Sequence, residues 1–477
     1  MVLITLFGGA NEIGGNKILL EDKGTRVFFD FGEPFGLKDK YFAEYLTPRE
    51  PRFGLKDYFH FDMLPKIPGL YDVELLKHTD LKYSPPAFQA IFISHMHFDH
   101  AMHLRFADRG IPVYLGESTC SIMNSWTETS MGRTDFGEHE FRTFRTGSKI
   151  KVDSIEVEPI HVDHSTPGAY GFLIHTTDGC VVYTGDLRLH GPRGDMTEEF
   201  AERASREKPI AMLCEGTRVA GNDPRENMSE EGVRDRAKKL VSGSKEMAIV
   251  SFYPKDVDRM RTFRDVARAT NRRFVVSAKV ANLLEALKGD PRIKVPDPLQ
   301  DPNMLVYVRK MASSRKAKKD GRKPASPWKV KYEYKYAEEL LDEDGDKWVK
   351  ERSGNIVNSS YVKKHQRELI FHTDFPQLTE LIDIEPARGS LFIRSKSEPF
   401  EEDDAQEEVL QNWISWFGLD FQQAHASGHA SMDEIFQIVR QVSPKTLIPV
   451  HTQHPDMFGA CGRRMVCPEP RKPIKVL

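Results

Sequence analysis

The chain has 477 residues, of which 39% are hydrophobic and 29% are charged, and its formal net charge is −3. This composition is typical of a globular protein with two or three domains and excludes a disordered chain. No apolar run approaches the roughly 18 residues of a membrane span, so we expect no membrane partner. Because the net charge is small, any surface that attracts a polyanion must be a local patch.

The five cysteines are too few and too scattered to form a disulfide framework. They are odd in number and never spaced as CxxC, which also argues against a thiolate zinc site. We therefore expect reduced thiols and a cytoplasmic protein. The residues concerned are Cys120, Cys180, Cys214, Cys461 and Cys467.

Five short runs rich in β-branched and aromatic residues each lead to a residue able to bind or support a metal ion. Such runs predict buried or half-buried strands. Polar residues just past strand ends are where an α/β scaffold commonly presents its chemistry. In chain order the runs are TRVFFDFG, which reaches Asp30, AIFISHMHFDH, SIEVEPIHVDH, which reaches His164, CVVYTGD, which reaches Asp186, and TLIPVH, which reaches His451.

After Lys208 the pattern changes to strands that alternate with amphipathic helices. IAMLCEG, EMAIVSFY and RFVVSA predict strands, while MSEEGVRDRAKKLVS and VDRMRTFRDVARATN predict helices. This alternation is typical of parallel βαβ units and predicts a second α/β domain. The basic run RKMASSRKAKKDGRK that follows is compatible with a solvated surface loop or with an RNA-guiding patch.

The segment HMHFDH contains the strongest chemical signal in the chain. In an extended segment His95 and His97 point the same way and can hold one metal ion from one side. Asp99 and His100 follow the turn and can face a second ion nearby. Imidazole and carboxylate ligands suit zinc. His103 lies outside this pattern, and we expect it on a helix surface or behind the ligands.

The HxHxDH spacing, together with the four other strand ends in this order, resembles the metallo-β-lactamase superfamily. The resemblance implies an α/β fold of the αββα sandwich type and a cofactor of two Zn²⁺ ions, with Mn²⁺ as an alternative. Asp186 would bridge the two ions, and Asp30 would support the cluster from behind. The implied ligands are His95, His97 and His164 for one ion, and Asp99, His100 and His451 for the other.

Three later runs narrow the resemblance to the β-CASP nucleases. LCEGT, ASGHAS and IPVHTQH are similar to motifs A, B and C of that family and place Glu215, His429 and His451 at the diagnostic positions. FGGANEIGGN, HSTPGAYGFLI and TGDLRL resemble ribonuclease J and its archaeal relatives. The implied domains are a metallo-β-lactamase domain in residues 1–208 and 424–477, and an inserted β-CASP domain in residues 209–423 with a basic insert near 309–336.

This resemblance implies a zinc-dependent ribonuclease that hydrolyses single-stranded RNA in RNA processing or decay. We expect a 5′→3′ exonuclease that prefers 5′-monophosphate ends. His429, oriented by Glu215, is the expected proton donor to the leaving oxygen. The expected catalytic residues are Asp99, Asp186, Glu215 and His429.

The segment SMDEIFQIV begins with a capping box formed by Ser431 and Glu434. Because a helix N-terminus offers free backbone amides to an anion, we expect Ser427, Gly428 and Ser431 to line a site for an RNA phosphate. For Ser431, simple helix capping is an equally good interpretation.

Several other functions remain open at this stage. The alternatives are an RNA endonuclease of the same family, a DNA nuclease of the Artemis type, a small-molecule hydrolase and an inactive RNA-binding scaffold. In the Artemis branch the histidine of motif C is typically replaced, so His451 favours RNA. A homodimer is a further hypothesis that the sequence does not decide.

Overall fold

The computed structural model describes residues 1–43, 45–130, 134–221, 223, 226–290, 292–309, 355–397 and 405–476. The chain divides into two compact units, each assembled from separate stretches of sequence. The first unit comprises Met1–Met123, Asp135–Glu226 and Gly428–Leu477, and the second comprises Asn124–Thr134 and Asn227–Ser427.

The first sheet of the first unit has seven strands among the described residues. They are β1 (Leu3–Gly8), β2 (Lys17–Asp22), β3 (Thr25–Phe29), β4 (Ala90–Ile93), β5 (Val113–Gly116), β6 (Phe141–Phe144) and β21 (Ile474–Lys475). Their order is β21-β1-β2-β3-β4-β5-β6. The pairs from β3 to β6 are parallel, so the loops that follow β3 and β4 leave the same edge of the sheet.

The second sheet of this unit also has seven strands within the described ranges. They are β7 (Ile150–Val152), β8 (Ile155–His161), β9 (Tyr170–His175), β10 (Cys180–Tyr183), β11 (Ala211–Glu215), β19 (Thr446–Val450) and β20 (Arg464–Met465). Their order is β20-β19-β11-β10-β9-β8-β7. The strands β10, β11 and β19 are parallel neighbours, and each ends just before or at a residue of the predicted site.

The two sheets share a hydrophobic core made of alternate residues from their strands. Phe29 of the first sheet lies 5.4 Å from Phe172 and 6.3 Å from Tyr183 of the second, measured between ring centroids. The intervening residues, such as Val182, point to the other face and pack with α6 (Gly194–Arg206) and α13 (Met432–Val442). The predicted α/β sandwich is confirmed.

The remaining helices of this unit are short. They are α1 (Phe35–Tyr41), α2 (Glu50–Phe53), α3 (Lys56–His60) and α4 (Phe98–Ala101), with 3₁₀ turns at Val73–Leu76, Met102–Phe106 and Pro455–Cys461. A longer helix, α5 (Glu117–Thr129), begins in the first unit and ends in the second.

The second unit contains a parallel sheet with seven strands in the part of the chain that the structure describes. The strands are β12 (Ala248–Ser251), β13 (Arg273–Ser277), β14 (Met304–Tyr307), β15 (Ile356–Val357), β16 (Leu369–Thr373), β17 (Leu391–Arg394) and β18 (Asp420–Gln423). Their order is β15-β14-β13-β16-β12-β17-β18. The described helices are α7 (Glu230–Gly243), α8 (Val257–Ala269), α9 (Ala278–Leu287), α10 (Ser359–Lys364), α11 (Glu380–Ile384) and α12 (Ala405–Phe417), with 3₁₀ turns at Gln366–Glu368 and Phe375–Gln377.

The boundaries of the units differ from those expected from the sequence. The strand β11 was expected to open the inserted domain, but it pairs with β10 and β19 in the second sheet of the first unit. The contact boundaries therefore lie after Glu226 and after Ser427, not after residues 208 and 423. A buried strand has the same appearance in sequence whichever sheet it joins, which explains the difference. Of the basic insert expected near 309–336, residues 310–336 lie outside the described residues.

All five cysteines lie in the described part of the chain, and none of them is joined in a disulfide there. None of the helices in the described ranges combines the length and the apolar character needed to cross a bilayer.

Candidate metal centre

The first ligand group forms where the chain leaves β4 and turns into α4. The Nε2 atom of His95 lies 3.0 Å from Nδ1 of His97, which in turn lies 3.1 Å from Nε2 of His164. The Oδ2 atom of Asp186 is 3.6 Å from Nε2 of His95 and 4.0 Å from Nε2 of His164. One ligand atom from each of these four residues lies within 4.8 Å of the others.

The second group lies directly beside the first and shares Asp186 with it. The Nε2 atom of His451 is 2.9 Å from Oδ2 of Asp99, and Nε2 of His100 is 3.1 Å from Oδ2 of Asp186. These four residues also offer ligand atoms within 4.8 Å of one another. The structure therefore brings together every residue that the sequence predicted as a metal ligand, in the two groups that the resemblance implied.

The chemistry of these atoms fits a pair of metal cations. The Oδ2 atom of Asp186 is buried and makes no hydrogen bond of acceptable geometry within the described residues. Burial lowers the pKa of His95 well below its ordinary value, and burial together with His429 lowers the pKa of His164 to about 3. Neutral imidazoles thus present lone pairs to one another and to a carboxylate, which is a set of nitrogen and oxygen ligands that zinc prefers.

In the second ligand group, protons on the imidazoles balance the negative charge of the carboxylates, whereas the imidazoles of the first group are neutral. Burial opposes a charged imidazole at His100, but the carboxylates of Asp186, Asp99 and Asp30 raise its pKa well above the ordinary value. Burial likewise opposes ionisation of Asp186, yet His100 and His451 lower its pKa well below the ordinary value. A bound cation would take the place of these protons, because metal ligands must be deprotonated.

Asp30 fixes the orientation of His100 from behind. Its Oδ2 atom accepts hydrogen bonds from Nδ1 of His100 at 2.8 Å, from the hydroxyl of Tyr183 at 2.6 Å and from Oγ of Ser94 at 2.8 Å. Because the Nδ1–H group is directed at this carboxylate, Nε2 of His100 is the nitrogen that faces Asp186 and that would bind a metal ion once its proton is displaced. Such carboxylate–histidine pairs commonly orient metal-binding histidines. Tyr183 and Ser94 were not singled out in the sequence, although both lie in the runs quoted above.

A second orienting contact, which sequence reasoning missed, involves Thr217. Glu215 Oε2 accepts hydrogen bonds from the amide of Thr217 at 3.1 Å and from its hydroxyl at 2.8 Å. Since the Thr217 hydroxyl proton is used in this way, its oxygen accepts from Nδ1 of His451 at 2.7 Å. The Nε2 atom of His451 is then left to face Asp99. Thr217 is the last residue of the LCEGT run, in which the sequence predicted a role only for Glu215.

Glu215 also contacts His429, as the sequence predicted. Its Oε1 atom accepts from Nδ1 of His429 at 3.2 Å and from the amide of Leu187 at 3.0 Å. Burial disfavours the Glu215 carboxylate, but His429 lowers its pKa below the ordinary value. The Glu215 side chain is 1% exposed, whereas that of His429 is 22% exposed. His429 is therefore the solvent-accessible member of the pair, and its Nδ1 lies 3.8 Å from Oδ2 of Asp186.

The loop before α13 has two structural roles that limit what it can offer a phosphate. The carbonyl oxygen of Gly428 accepts a 2.6 Å hydrogen bond from Nδ1 of His164, which aims that ring at the first ligand group. The predicted capping box is confirmed, because the Ser431 side chain accepts from the amide of Glu434, whose carboxylate accepts from the amide of Ser431. Ser427 is buried and belongs to the second unit. The phosphate role of Ser427, Gly428 and Ser431 remains a prediction.

His103 does not lie on a helix surface. It is fully buried in a 3₁₀ turn, where its ring lies 5.5 Å from that of Tyr58 and 5.1 Å from that of Phe106. Neither ring nitrogen has a hydrogen-bond partner among the described residues, and burial lowers the pKa of His103 well below its ordinary value. Of the two positions expected for His103, the helix surface is wrong because this turn faces inward, and a place behind the ligands stays a prediction.

Two family descriptions match separate parts of the chain. Residues 67–206 match the beta-lactamase superfamily domain, and residues 420–458 match the Zn-dependent metallo-hydrolase RNA specificity domain. The two matches, together with the similarity to ribonuclease J, support a ribonuclease J-like protein with a metallo-β-lactamase domain. The first match contains the HMHFDH segment, His164 and Asp186, and the second contains His429 and His451.

Individual proteins match this chain over different lengths. Ribonuclease J of Sinorhizobium meliloti is 23% identical over 398 residues, which cover 81% of this chain and 61% of that protein. Ribonuclease J of Helicobacter pylori strain J99 is 21% identical over 495 residues, covering 100% and 59%, respectively. The chain thus spans about three fifths of the length of these relatives.

One solved structure has the same fold throughout. A protein of unknown function from Enterococcus faecalis V583 is 23% identical and superposes with a TM-score of 0.73, and the match covers 99% of each chain.

Proposed function

We propose that this protein is a metal-dependent ribonuclease that hydrolyses phosphodiester bonds of single-stranded RNA. The observation that carries the proposal is the pair of ligand groups that share Asp186, with the Glu215–His429 pair beside them. The match to an RNA specificity domain and the likeness to ribonuclease J support RNA as the substrate. We further propose two Zn²⁺ ions as the cofactor, with Mn²⁺ as the alternative.

The ligand roles follow from the contacts of each side chain. His95, His97 and His164 would hold one ion, and Asp99, His100 and His451 the other. Asp186 would bind both, since its Oδ2 atom approaches histidines of each group. When bound, a pair of such ions polarises the attacked phosphate and activates a water molecule for in-line displacement.

The residues of the chain supply the remaining steps. Glu215 holds Nδ1 of His429, so that the ring has a fixed orientation next to Asp186. A histidine in this position can give a proton to the leaving 3′ oxygen. The partial exposure of His429, next to a buried Glu215, is what a group that meets the substrate requires.

For the direction of cleavage we propose 5′→3′ removal of mononucleotides with preference for 5′-monophosphate ends. Ser427, Gly428 and Ser431 belong to one short loop that leads into the N-terminus of α13, whose helix dipole favours an anion even though the capping box uses the amides of Ser431 and Glu434. A terminal monophosphate would be held there at a fixed distance from the ligand groups. The more bulky and more highly charged triphosphate should fit such a site less well.

The decisive experiment is digestion of one RNA sequence labelled at either end, with its 5′ end as hydroxyl, monophosphate or triphosphate. A circular form of the same RNA and the matching DNA strand complete the set, and His429→Ala controls for contaminating nuclease. Mononucleotide release from the 5′ end, fastest for the monophosphate, is expected. Rapid cleavage of the circle with indifference to the 5′ group would instead establish an endonuclease, and preferential cleavage of DNA would establish an Artemis-type enzyme.

Two further proposals concern the state of the protein. We propose a cytoplasmic location, which agrees with five described cysteines that form no disulfide with one another. A homodimer is checked directly by light scattering of the purified chain.

A further inference from the structure

A third cluster of metal-ligand residues lies in the first unit at a distance from the centre described above. It consists of His175, Cys180 and Glu207, each of which offers one ligand atom within 4.8 Å of the others. His175 ends β9, Cys180 begins β10, and Glu207 is the C-terminal capping residue of α6. Since Asp186 follows the other end of β10, the two clusters lie toward opposite edges of the same sheet.

Secondary structure holds the three residues in place. His175 and Cys180 are directly opposite each other in the antiparallel pair of β9 and β10, so their side chains lie on one face of the sheet. That face is the outer one, because Ile174 and Val181 point into the core between the sheets. Ala201 and Ala204 of α6 belong to the same core cluster as Cys180, so the end of α6 lies over this face.

The spacing suits a shared cation better than a direct ion pair. His175 Nδ1 and Glu207 Oε2 are 3.8 Å apart, which is too long for a good hydrogen bond. Two ligand atoms that each lie about 2.1 Å from a tetrahedral zinc ion are about 3.4 Å apart. A small movement of the His175 and Glu207 side chains would therefore allow both to bind one zinc ion. The His175 and Glu207 side chains are 31% and 39% exposed, which leaves an entry path and room for a water ligand.

The other charged side chains around the cluster balance one another, so the Glu207 carboxylate leaves a net negative charge there. Glu156 lies directly opposite His175 on the neighbouring strand β8, and Glu158 is two residues further along the same face. Arg203 of α6 pairs with Glu158 at 3.2 Å, and Lys149 lies 3.9 Å from Glu156. The Glu207 carboxylate therefore adds negative charge to a region that already contains two carboxylates and two cations.

We propose that His175, Cys180 and Glu207 form a third metal site, which binds a zinc-class divalent transition metal. Burial raises the pKa of the Cys180 thiol to about 12, so the metal would have to displace its proton. An imidazole, the resulting thiolate and a carboxylate, with water completing the coordination, select such a metal over Mg²⁺ or Ca²⁺. An ion held there would tie the β9–β10 hairpin to the end of α6. The site would thus stabilise the fold and would not take part in the hydrolysis proposed above.

Cobalt(II) titration of the metal-free protein tests the proposal. The ligand groups around Asp186 contain no cysteine, so absorption from thiolate-to-cobalt charge transfer reports only on a cysteine site. This absorption is expected in the unchanged protein, lost in Cys180→Ser and retained in Cys467→Ser, which removes an exposed thiol. Bound cobalt should fall by about one equivalent per chain in Cys180→Ser alone.

A second variant tests the site independently, in case Cys180→Ser does not fold. His175→Ala leaves the thiol in place, and it should bind cobalt at this site at least about tenfold more weakly while its circular dichroism stays unchanged. Absence of thiolate absorption at saturating cobalt, or its persistence in Cys180→Ser, would overturn the proposal. Neither result bears on the ribonuclease proposal, since RNA cleavage is measured separately.

Discussion

Thr217 and His451 are joined by a 2.7 Å hydrogen bond between Oγ1 and Nδ1, although they lie 234 positions apart in the chain. Because Glu215 takes the hydroxyl proton of Thr217, the threonine oxygen can only accept, and His451 must carry its proton on Nδ1. This fixes the tautomer whose Nε2 lone pair faces Asp99. Glu215 therefore orients two histidines. It holds His429 by a direct hydrogen bond and His451 through Thr217.

Replacing Thr217 should weaken metal binding without removing a ligand. Thr217→Val keeps the shape of the side chain but leaves Nδ1 of His451 without an acceptor, and loss of such an orienting partner typically costs about 10- to 100-fold in metal affinity. Competition with a chromophoric chelator measures this affinity. Thr217→Ser retains the hydroxyl and is the matched control.

The two Thr217 variants separate orientation from general damage to the fold. If Thr217→Ser binds metal as weakly as Thr217→Val, the methyl group and not the hydroxyl matters, and the orienting role is wrong. Unchanged affinity in Thr217→Val would lead to the same conclusion.

His429 and His451 should respond differently to removal, although their rings lie only 5.8 Å apart. His429→Ala is expected to lose most RNA cleavage, roughly 100-fold or more, because a proton donor is removed. Its metal content should stay near normal. His451→Ala should lower metal occupancy itself, since it takes a ligand from the second group.

Elemental analysis of both variants beside the unchanged protein decides this point. Asp186, Glu215 and His429 also form a group close enough to hold an ion. Equal loss of metal in the two variants would therefore assign His429 to the ligands and contradict its role as proton donor.

The sequence predicted this centre well because its signals are local. HMHFDH places four ligands within six residues, and the other three ligands each follow a short apolar strand. The contacts that orient the ligands were harder to find, since the carbonyl of Gly428 that holds His164 has no side-chain signature. The wrong domain expected for β11 and the wrong surface alternative for His103 have a related cause, because both positions depend on which distant residues pack against them.

Lys17 should give the protein a distinctive dependence of stability on pH. Its side chain is fully buried, and its Nζ donates to the carbonyls of Gly15 at 3.2 Å and Gly32 at 2.5 Å, which a neutral amine with two N–H groups can satisfy. Burial lowers the pKa of Lys17 from 10.5 to about 7, against the opposing effect of Glu12 and Glu33. Between these two pH values the unfolded chain binds one more proton than the folded chain.

Stability should therefore rise as the pH increases from about 7 toward 10.5 and fall in the reverse direction. For this one group the slope approaches about 1.4 kcal/mol per pH unit. Urea unfolding at several pH values, compared with Lys17→Met, isolates the contribution, because all other groups titrate in both proteins. Lys82→Met, at an exposed position, should keep the slope of the unchanged protein. Parallel pH curves for Lys17→Met and the unchanged protein would mean that Lys17 is not neutral in the fold.

Gly32 should tolerate no side chain, because the backbone of the metal-ligand segment passes directly over it. A Cβ atom at Gly32 would lie 1.6 Å from the carbonyl oxygen of Asp99 and 2.5 Å from the amide nitrogen of His100. The same stretch of backbone is held by hydrogen bonds from Phe31 to His100 and from Glu33 to Phe98, so it cannot move away freely.

Gly32→Ala is therefore expected to displace Asp99 and His100, lower metal occupancy and cost at least about 1–3 kcal/mol in the free energy of unfolding. Gly36→Ala is the matched control, since a Cβ there meets no heavy atom within 4 Å and the residue lies in α1. It should leave metal content unchanged and, because alanine favours a helix over glycine, should stabilise the protein by at most about 1 kcal/mol. Urea unfolding and elemental analysis of both variants measure the two effects. A Gly32→Ala protein that binds metal and unfolds like the Gly36→Ala control would show that the backbone of Asp99 and His100 can shift without loss of the site.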